Sequence, residues 1–160
     1  MIFRPMPGGL HFWHPAALLA TGGGIGLARV ASGTWGSLAA LPLAWGIVSA
    51  AGLGGLLLAA VLAWVGGVWA SAYIGRSGEK DSSAIVIDEI AGQWLSLLPC
   101  ALDPVLYAMA FLAFRFFDIV KPWPASWIDR EVGGGFGVML DDVVAGIYAG
   151  TLVWALSFWM

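Results

Sequence analysis

Long stretches without any charged side chain alternate with short charged ones along this chain. Val30–Gly75 contains no Lys, Arg, Asp or Glu, and this length suffices for two membrane helices of about 20 residues each. The glycine-rich segment Gly52–Gly55 predicts a turn in the middle of the stretch, and Pro42 predicts a kink before it. We therefore expect one helix from Thr34 to Ala50 and a second from Leu56 to Ile74.

The second half of the chain predicts three more apolar helices after a polar loop at Gly75–Ser83. Their expected bounds are Ala84 or Asp88 to Leu98, Val105 to about Lys121, and about Leu140 to Trp159. Pro99 and Pro104 interrupt the chain between the third and the fourth helices. Because both helices are short for a bilayer, we expect them to form a hairpin that returns to its side of origin.

Composition supports a membrane protein and excludes several other classes. Hydrophobic residues make up 60% of the chain and charged residues only 11%, against about 25% charged residues in soluble domains. A net charge of -3 without a basic stripe gives no reason to expect nucleic acid as a partner. The single cysteine, Cys100, excludes an internal disulfide and a cysteine-rich zinc site. The expected fold class is all-α: one membrane-embedded domain over residues 1–160, a multi-pass bundle of about five apolar helices.

The distribution of charge predicts an orientation. With the hairpin folded back, the N-terminus and the loops 75–89 and 115–142 share one side of the membrane. That side carries every Lys and Arg and every acid except Asp103, so the positive-inside rule makes it cytoplasmic. If Ile90–Phe114 were instead one continuous span, the cations that follow it would move to the opposite side.

Acidic side chains stand at the ends of the apolar stretches. The candidate catalytic carboxylates are Asp88, Glu89, Asp118, Asp129, Asp141 and Asp142. Clustered carboxylates suit Mg²⁺, which takes oxygen ligands and is commonly held by one or two carboxylates and a phosphate. Helix capping is the alternative explanation for one acid of each adjacent pair. For Asp118 the alternative is an ion pair with Arg115 or Lys121, three residues away on either side.

Cations and glycines beside these acids are candidates for binding phosphate. The cations are Arg115, Lys121 and Arg130, of which the arginines can bind phosphate oxygens in a bidentate manner. Thr21–Gly26 and Ser32–Ser37 are glycine-rich, and such loops cradle phosphate with backbone N–H groups. Thr34 and Ser37 are candidate phosphate ligands or caps of the first helix. The alternative for these glycines is close packing, which we also favour for the Gly146–Gly150 pair.

Several short motifs follow one another between Leu18 and Gly150. They are Leu19–Gly22, Gly33–Ser37, Ile87–Glu89, Phe114–Asp118, Lys121–Pro124, Trp127–Arg130 and Gly135–Gly146. In this order they resemble the phosphatidylglycerophosphatase A family, with one departure at Ser32, where the family usually has Pro. The resemblance implies a Mg²⁺-dependent lipid phosphatase in the bacterial inner membrane, with its active site facing the cytoplasm. The reaction would convert phosphatidylglycerophosphate in the bilayer to phosphatidylglycerol and phosphate.

The resemblance also implies roles for the charged residues. The residues that would position one or two Mg²⁺ ions are Asp88, Glu89, Asp118, Asp141 and Asp142. Arg115, Lys121 and Arg130 would stabilise the transferring phosphoryl group, and Asp129 would be a ligand, a base or the partner of Arg130. The open alternatives are a phosphatase acting on another phospholipid or phosphomonoester, a cation transporter, and a non-catalytic membrane assembly subunit.

Overall fold

Helices make up the regular structure of this protein. A computed structural model describes residues 3–77 and 82–159, and in this part of the chain no β-strand occurs apart from an isolated bridge between Phe3 and Ala28. The α-helices are α1 (Pro15–Ala20), α2 (Ser32–Gly75), α3 (Ile87–Ser96), α4 (Pro104–Val120), α5 (Ala125–Glu131) and α6 (Gly134–Ser157). The all-α prediction is confirmed. Positions 78–81 of the predicted polar loop lie outside the described residues.

Helix α2 is folded back on itself at Gly52. This residue has φ 68° and ψ −172°, in the left-handed region that glycine adopts without a steric penalty. Gly36 lies against Val86, and Gly67 lies against the next residue, Ile87. In one straight helix, positions 36 and 67 would be about 46 Å apart at 1.5 Å per residue. The predicted turn is therefore present, and α2 consists of two antiparallel limbs, 32–51 and 53–75.

The expected hairpin between α3 and α4 is also present. A short 3-10 helix, Leu98–Cys100, closes α3 at the proline. The Asp103 carboxylate then caps α4 by accepting hydrogen bonds from the backbone N–H groups of Val105 and Leu106, at 2.8 and 3.0 Å. Helix capping therefore explains the position of Asp103, the one acid expected on the opposite side of the membrane from the others.

Helix α6 begins at Gly134, six residues before the expected start at Leu140. The sequence predicts a flexible loop before Asp141, formed by Gly133–Gly135 and Gly137, and this prediction is wrong because the helix already includes Gly134–Gly137. A side chain at Gly135 would collide with the backbone of Val68 and Ala72 in α2, and one at Gly137 would collide with the carbonyl of Val132. These glycines let α6 pack closely against its neighbours instead of giving the chain freedom.

Two helices, α2 and α6, are long and apolar enough to cross a membrane. Large apolar side chains cover their outer surfaces, among them Leu58, Leu62 and Val65 on α2 and Ile147 and Trp154 on α6. An exposed apolar surface of this kind marks contact with lipid or with a partner. The number of membrane crossings stays a prediction.

Candidate active site

Three carboxylates meet at one end of the helix bundle. Asp88 and Glu89 occupy the first turn of α3, and Asp142 projects from α6. Each offers an oxygen, and these oxygens all lie within 4.8 Å of one another. Asp142 is buried with only 4% of its surface exposed. Carboxylates this close repel one another unless a cation or protons reduce their charge.

Two glycines explain why α3 and α6 approach closely enough to form this cluster. A side chain at Gly92 would collide with the backbone carbonyl of Asp142 and with the Phe114 ring, and one at Gly146 would collide with the backbone of Gly92. The two backbones therefore touch directly where α6 passes over α3. This contact supports the packing explanation of Gly146 and Gly150, and it brings Asp142 over the first turn of α3.

Two carboxylate oxygens at this end of the bundle are buried and have no hydrogen-bond partner among the described residues. They are Oε2 of Glu89 and Oδ1 of Asp141. Burial, together with the nearby Asp142 and Asp118, raises the pKa of Glu89 to about 7, although a hydrogen bond with Asp88 and the charge of Arg115 partly offset the increase. Burial and the neighbouring Glu89 likewise raise the pKa of Asp88 well above its usual value. A hard divalent cation with oxygen ligands fits this donor set.

Asp118 borders the cluster and is held by Arg115. The Arg115 guanidinium lies 2.5 Å from Oδ2 of Asp118, so the ion pair considered as an alternative does form. Asp118 also adds to the negative charge felt by Glu89 and Asp142. Arg115 extends further to the Ser37 hydroxyl, at 3.4 Å. One side of the cluster is therefore a charged contact between the end of α4 and the start of α2.

The expected capping roles at the start of α2 are wrong. The helix begins at Ser32, so Thr34 and Ser37 lie inside it. The Ser37 hydroxyl donates to the carbonyl of Gly33 at 2.9 Å, and none of the described hydrogen bonds engages the Thr34 side chain. A side chain at Gly33 would collide with the Glu89 carboxylate. The glycine-rich start of α2 therefore contributes to the cluster by letting its backbone lie close to the Glu89 carboxylate.

Lys121 holds the other side of the site together. Its Nζ lies 2.6 Å from Oδ1 of Asp129 and 2.6 Å from Oδ2 of Asp141. Burial lowers the pKa of Lys121, but the two carboxylates outweigh this effect and raise it above the ordinary lysine value. Lys121 is thus occupied by carboxylates, although the sequence predicts it to bind phosphate. Asp129 pairs with Lys121, whereas the sequence predicts it to be a metal ligand, a base or the partner of Arg130.

An open cavity of about 580 Å³ lies beside the cluster. Its charged lining residues are Arg76, Asp88, Glu89, Lys121, Asp129, Arg130 and Asp141. Arg115, Asp118 and Asp142 do not line the cavity. Asp142 lies next to Asp88 and Glu89, which do line it, and Arg115 and Asp118 form an ion pair beside the cluster. Sequence analysis missed Arg76 and the buried Ser71, which also lines the cavity. Their only signal was their position at the end of the second apolar limb.

Comparison with known proteins shows the family to which this chain belongs. The family model described as "Phosphatidylglycerophosphatase A" matches residues 18–157. The chain belongs to the phosphatidylglycerophosphatase A family. The match includes every member of the carboxylate cluster and each cation around it, so the site described above lies within the part that defines the family.

Individual relatives are similar over most of their length. The chain is 39% identical to phosphatidylglycerophosphatase A of Haemophilus influenzae, over 92% of this chain and 91% of the relative. It is 38% identical to phosphatidylglycerophosphatase A of Escherichia coli, over 91% and 83%. A protein of Bacteroides thetaiotaomicron, named as a candidate phosphatidylinositol-3-phosphatase, is 35% identical over 89% and 93%. No solved structure matches this chain.

Proposed function

We propose that this chain is a Mg²⁺-dependent phosphatidylglycerophosphatase of the bacterial inner membrane. It removes the terminal phosphate of phosphatidylglycerophosphate and leaves phosphatidylglycerol. The cluster of Asp88, Glu89 and Asp142 carries the proposal, because two half-buried carboxylates and one buried carboxylate lie close together beside an open cavity in a member of this family. The two relatives named phosphatidylglycerophosphatase A, at 39% and 38% identity, support the choice of reaction.

The residues that would hold Mg²⁺ are Asp88, Glu89 and Asp142. An ion held there would neutralise part of the phosphate charge and lower the pKa of a bound water molecule. Asp118 and Asp141, the other two predicted ligands, are each engaged by a cation, Arg115 and Lys121. In this proposal they border the metal site, and the ion pairs fix their orientation.

The cavity residues then bind and orient the phosphate. Lys121 keeps Asp129 and Asp141 paired and so limits the negative charge that an incoming phosphate meets. Arg130 lines the cavity from α5 and is exposed, which leaves its guanidinium accessible to phosphate oxygens. Arg115 stabilises the cluster through Asp118, and it contacts the substrate only if that ion pair opens.

The membrane arrangement follows from where the charges lie. In the proposed topology, both limbs of α2 and helix α6 cross the bilayer, and the α3–α4 hairpin enters and returns. The cavity forms at the end of the bundle where α2 begins and ends, opposite Gly52 and Asp103. The positive-inside rule makes this end cytoplasmic. A phosphate at the lipid surface would then reach the cluster while the acyl chains stay in the bilayer.

A second candidate is a phosphatase of the same mechanism with another lipid headgroup. The Bacteroides relative, 35% identical over 93% of its length, bears the name of a phosphatase for an inositol lipid. The carboxylate cluster would serve either substrate, because both carry a phosphate monoester. The alternatives of a cation transporter or an assembly subunit receive no support from the family comparison.

Phosphate release by the detergent-purified chain tests the proposal. The substrates are phosphatidylglycerophosphate and phosphatidic acid, each with Mg²⁺ and with a chelator in its place. We expect Mg²⁺-dependent release from phosphatidylglycerophosphate and little from phosphatidic acid. Equal release from both lipids would refute the headgroup assignment, and release that persists in chelator would refute the metal requirement. Folded protein that releases phosphate from neither lipid would overturn the reaction.

A further inference from the structure

One wall of the cavity carries polar groups that the mechanism above does not use. The last part of α2 contributes Ser71, Gly75 and Arg76 to the lining. A side chain at Gly75 would meet nothing within 4 Å, so this stretch of the wall is open. Ser71 and Gly75 are four residues apart and share one face of the helix. Arg76 follows at the helix end.

Ser71 lacks the hydrogen bond that serines in this protein usually make. Ser37 and Ser49 each donate to the carbonyl four residues earlier, at 2.9 and 2.8 Å. The Ser71 side chain is almost fully buried, with 5% of its surface exposed, and its hydroxyl has no partner in the described part of the chain. A buried hydroxyl without a partner is unfavourable. A ligand in the cavity would supply the missing partner.

Arg76 is a cation of the cavity lining that forms no ion pair with any acid in the described part of the chain. Within residues 3–77 and 82–159, the ion pairs join Arg115 to Asp118 and Lys121 to two carboxylates. Arg76 and Arg130 are the cations of the lining left without a carboxylate partner in this range. They belong to separate helices, so the cavity offers positive charge on two walls.

The proposed substrate carries two phosphates joined by glycerol. Its terminal monoester is the group to be cleaved at the carboxylate cluster, and its phosphodiester links the headgroup to the lipid. Ser71 and Arg76 are five positions apart, which corresponds to about 7.5 Å along the helix axis. Because the terminal monoester lies at the carboxylate cluster, the Ser71 end of the wall can meet a headgroup oxygen while Arg76, at the other end, meets the phosphodiester.

We propose that Ser71 and Arg76 form a headgroup subsite that selects lipids with a phosphodiester next to the cleaved monoester. The Arg76 guanidinium binds the phosphodiester, and the Ser71 hydroxyl donates to a headgroup oxygen. Phosphatidic acid has a monoester only and leaves Arg76 without a partner. The inference rests on the proposed function and names the residues that give it specificity.

Inhibition of the full-length enzyme by two probes tests the subsite. Dioctanoyl phosphatidylglycerol keeps the phosphodiester but lacks the monoester, whereas inorganic phosphate resembles only the group released. We expect Arg76→Gln to weaken inhibition by phosphatidylglycerol about tenfold, equivalent to roughly 1.4 kcal/mol of binding, with phosphate inhibition unchanged. Arg76→Lys should recover part of the loss. Arg29→Gln, which removes an exposed arginine outside the lining, should change neither constant.

The Ser71→Ala variant distinguishes substrate binding from a purely structural role, because the two roles predict different combinations of kcat/KM and thermal midpoint. We expect kcat/KM for phosphatidylglycerophosphate to fall while the thermal midpoint stays constant or rises, because the variant removes a buried unpaired hydroxyl. Equal weakening of both inhibitors by Arg76→Gln, or no weakening of either, would overturn the subsite. If the unmodified enzyme releases no phosphate from phosphatidylglycerophosphate, the proposed function itself fails, and this result is distinct from the others.

Discussion

Because α3 and α6 touch at Gly92, we predict that adding one methyl group there lowers the activity strongly and the stability only slightly. In Gly92→Ala, the new Cβ would lie 2.5 Å from the Asp142 carbonyl oxygen and 2.7 Å from the Phe114 ring. Ordinary contact begins at 3.4 Å, so α6 must move away by about 0.9 Å. This movement carries Asp142 away from Asp88 and Glu89.

The two effects differ in magnitude. Overpacking costs about 1–3 kcal/mol, and replacing glycine by alanine inside a helix returns roughly 1 kcal/mol, so the net loss of stability is about 0–2 kcal/mol. A displacement near 1 Å in a catalytic site can lower the rate about a hundredfold. We therefore expect Gly92→Ala to remain folded and to lose about two orders of magnitude in kcat/KM.

The assay is Mg²⁺-dependent phosphate release in detergent, paired with the thermal midpoint of each variant. Gly46→Ala is the matched control, because a side chain there meets nothing within 4 Å in the middle of α2. It should keep full activity and gain slight stability. Unchanged kcat/KM in Gly92→Ala, or an equal loss in Gly46→Ala, would refute the reasoning that the close backbone contact positions Asp142.

Three further predictions concern other parts of the fold. Lys121→Met should lower the thermal midpoint, by an amount equivalent to about 1–3 kcal/mol, because it leaves a largely buried carboxylate without its partner; an unchanged midpoint would show that the ion pairs do not stabilise the fold. Asp103→Ala removes the cap of α4 and should cost about 0.5–2 kcal/mol without changing kcat, whereas a large loss of kcat would place this acid in the reaction. The topology is tested in a chain whose buried Cys100 is replaced by Ser. In this background, Leu53→Cys and Glu131→Cys, each made separately, should react with an impermeant thiol reagent from opposite sides of the membrane. Labelling of both cysteines from the same side would contradict the topology.

The fold was predictable where an element depends on local sequence. The uncharged stretch with glycines at 52–55 predicts two limbs and a turn, because only glycine adopts the conformation at Gly52 easily. Proline and aspartate at 103–104 likewise predict the start of α4. The early start of α6 was not predictable, because the glycines at 134–137 have poor helix propensity. Gly135 and Gly137 nevertheless lie inside the helix, at positions where α2 and Val132 approach too closely for any side chain.

The site was predictable in its residue types but not in its pairings. Six candidate carboxylates were recognised, yet sequence alone did not indicate which member of the Asp141–Asp142 pair faces α3. Successive residues of a helix point about 100° apart, so the answer depends on the rotation of α6, which Gly92 and Gly146 determine by their contact. Lys121 lies at the end of α4 and pairs with acids on α5 and α6, and the sequence alone does not give the packing that brings these three elements together. The only sequence signal of Ser71 is its position near the end of the second apolar limb, which does not distinguish it from any other hydroxyl in an apolar helix.

Metal binding at the cluster tests the central claim most directly. The measurement is a Mn²⁺ titration of the purified chain by electron paramagnetic resonance, with Asp142→Asn and the distant control Asp103→Asn, alongside Mg²⁺-dependent phosphate release. The account predicts that Asp142→Asn binds Mn²⁺ at least about tenfold more weakly, as expected when a ligand worth roughly 1.4 kcal/mol is lost, and releases little phosphate. Asp103→Asn should match the unmodified chain in both. Asp142→Asn with unchanged Mn²⁺ affinity and full phosphate release would contradict the assignment of this cluster as the metal site.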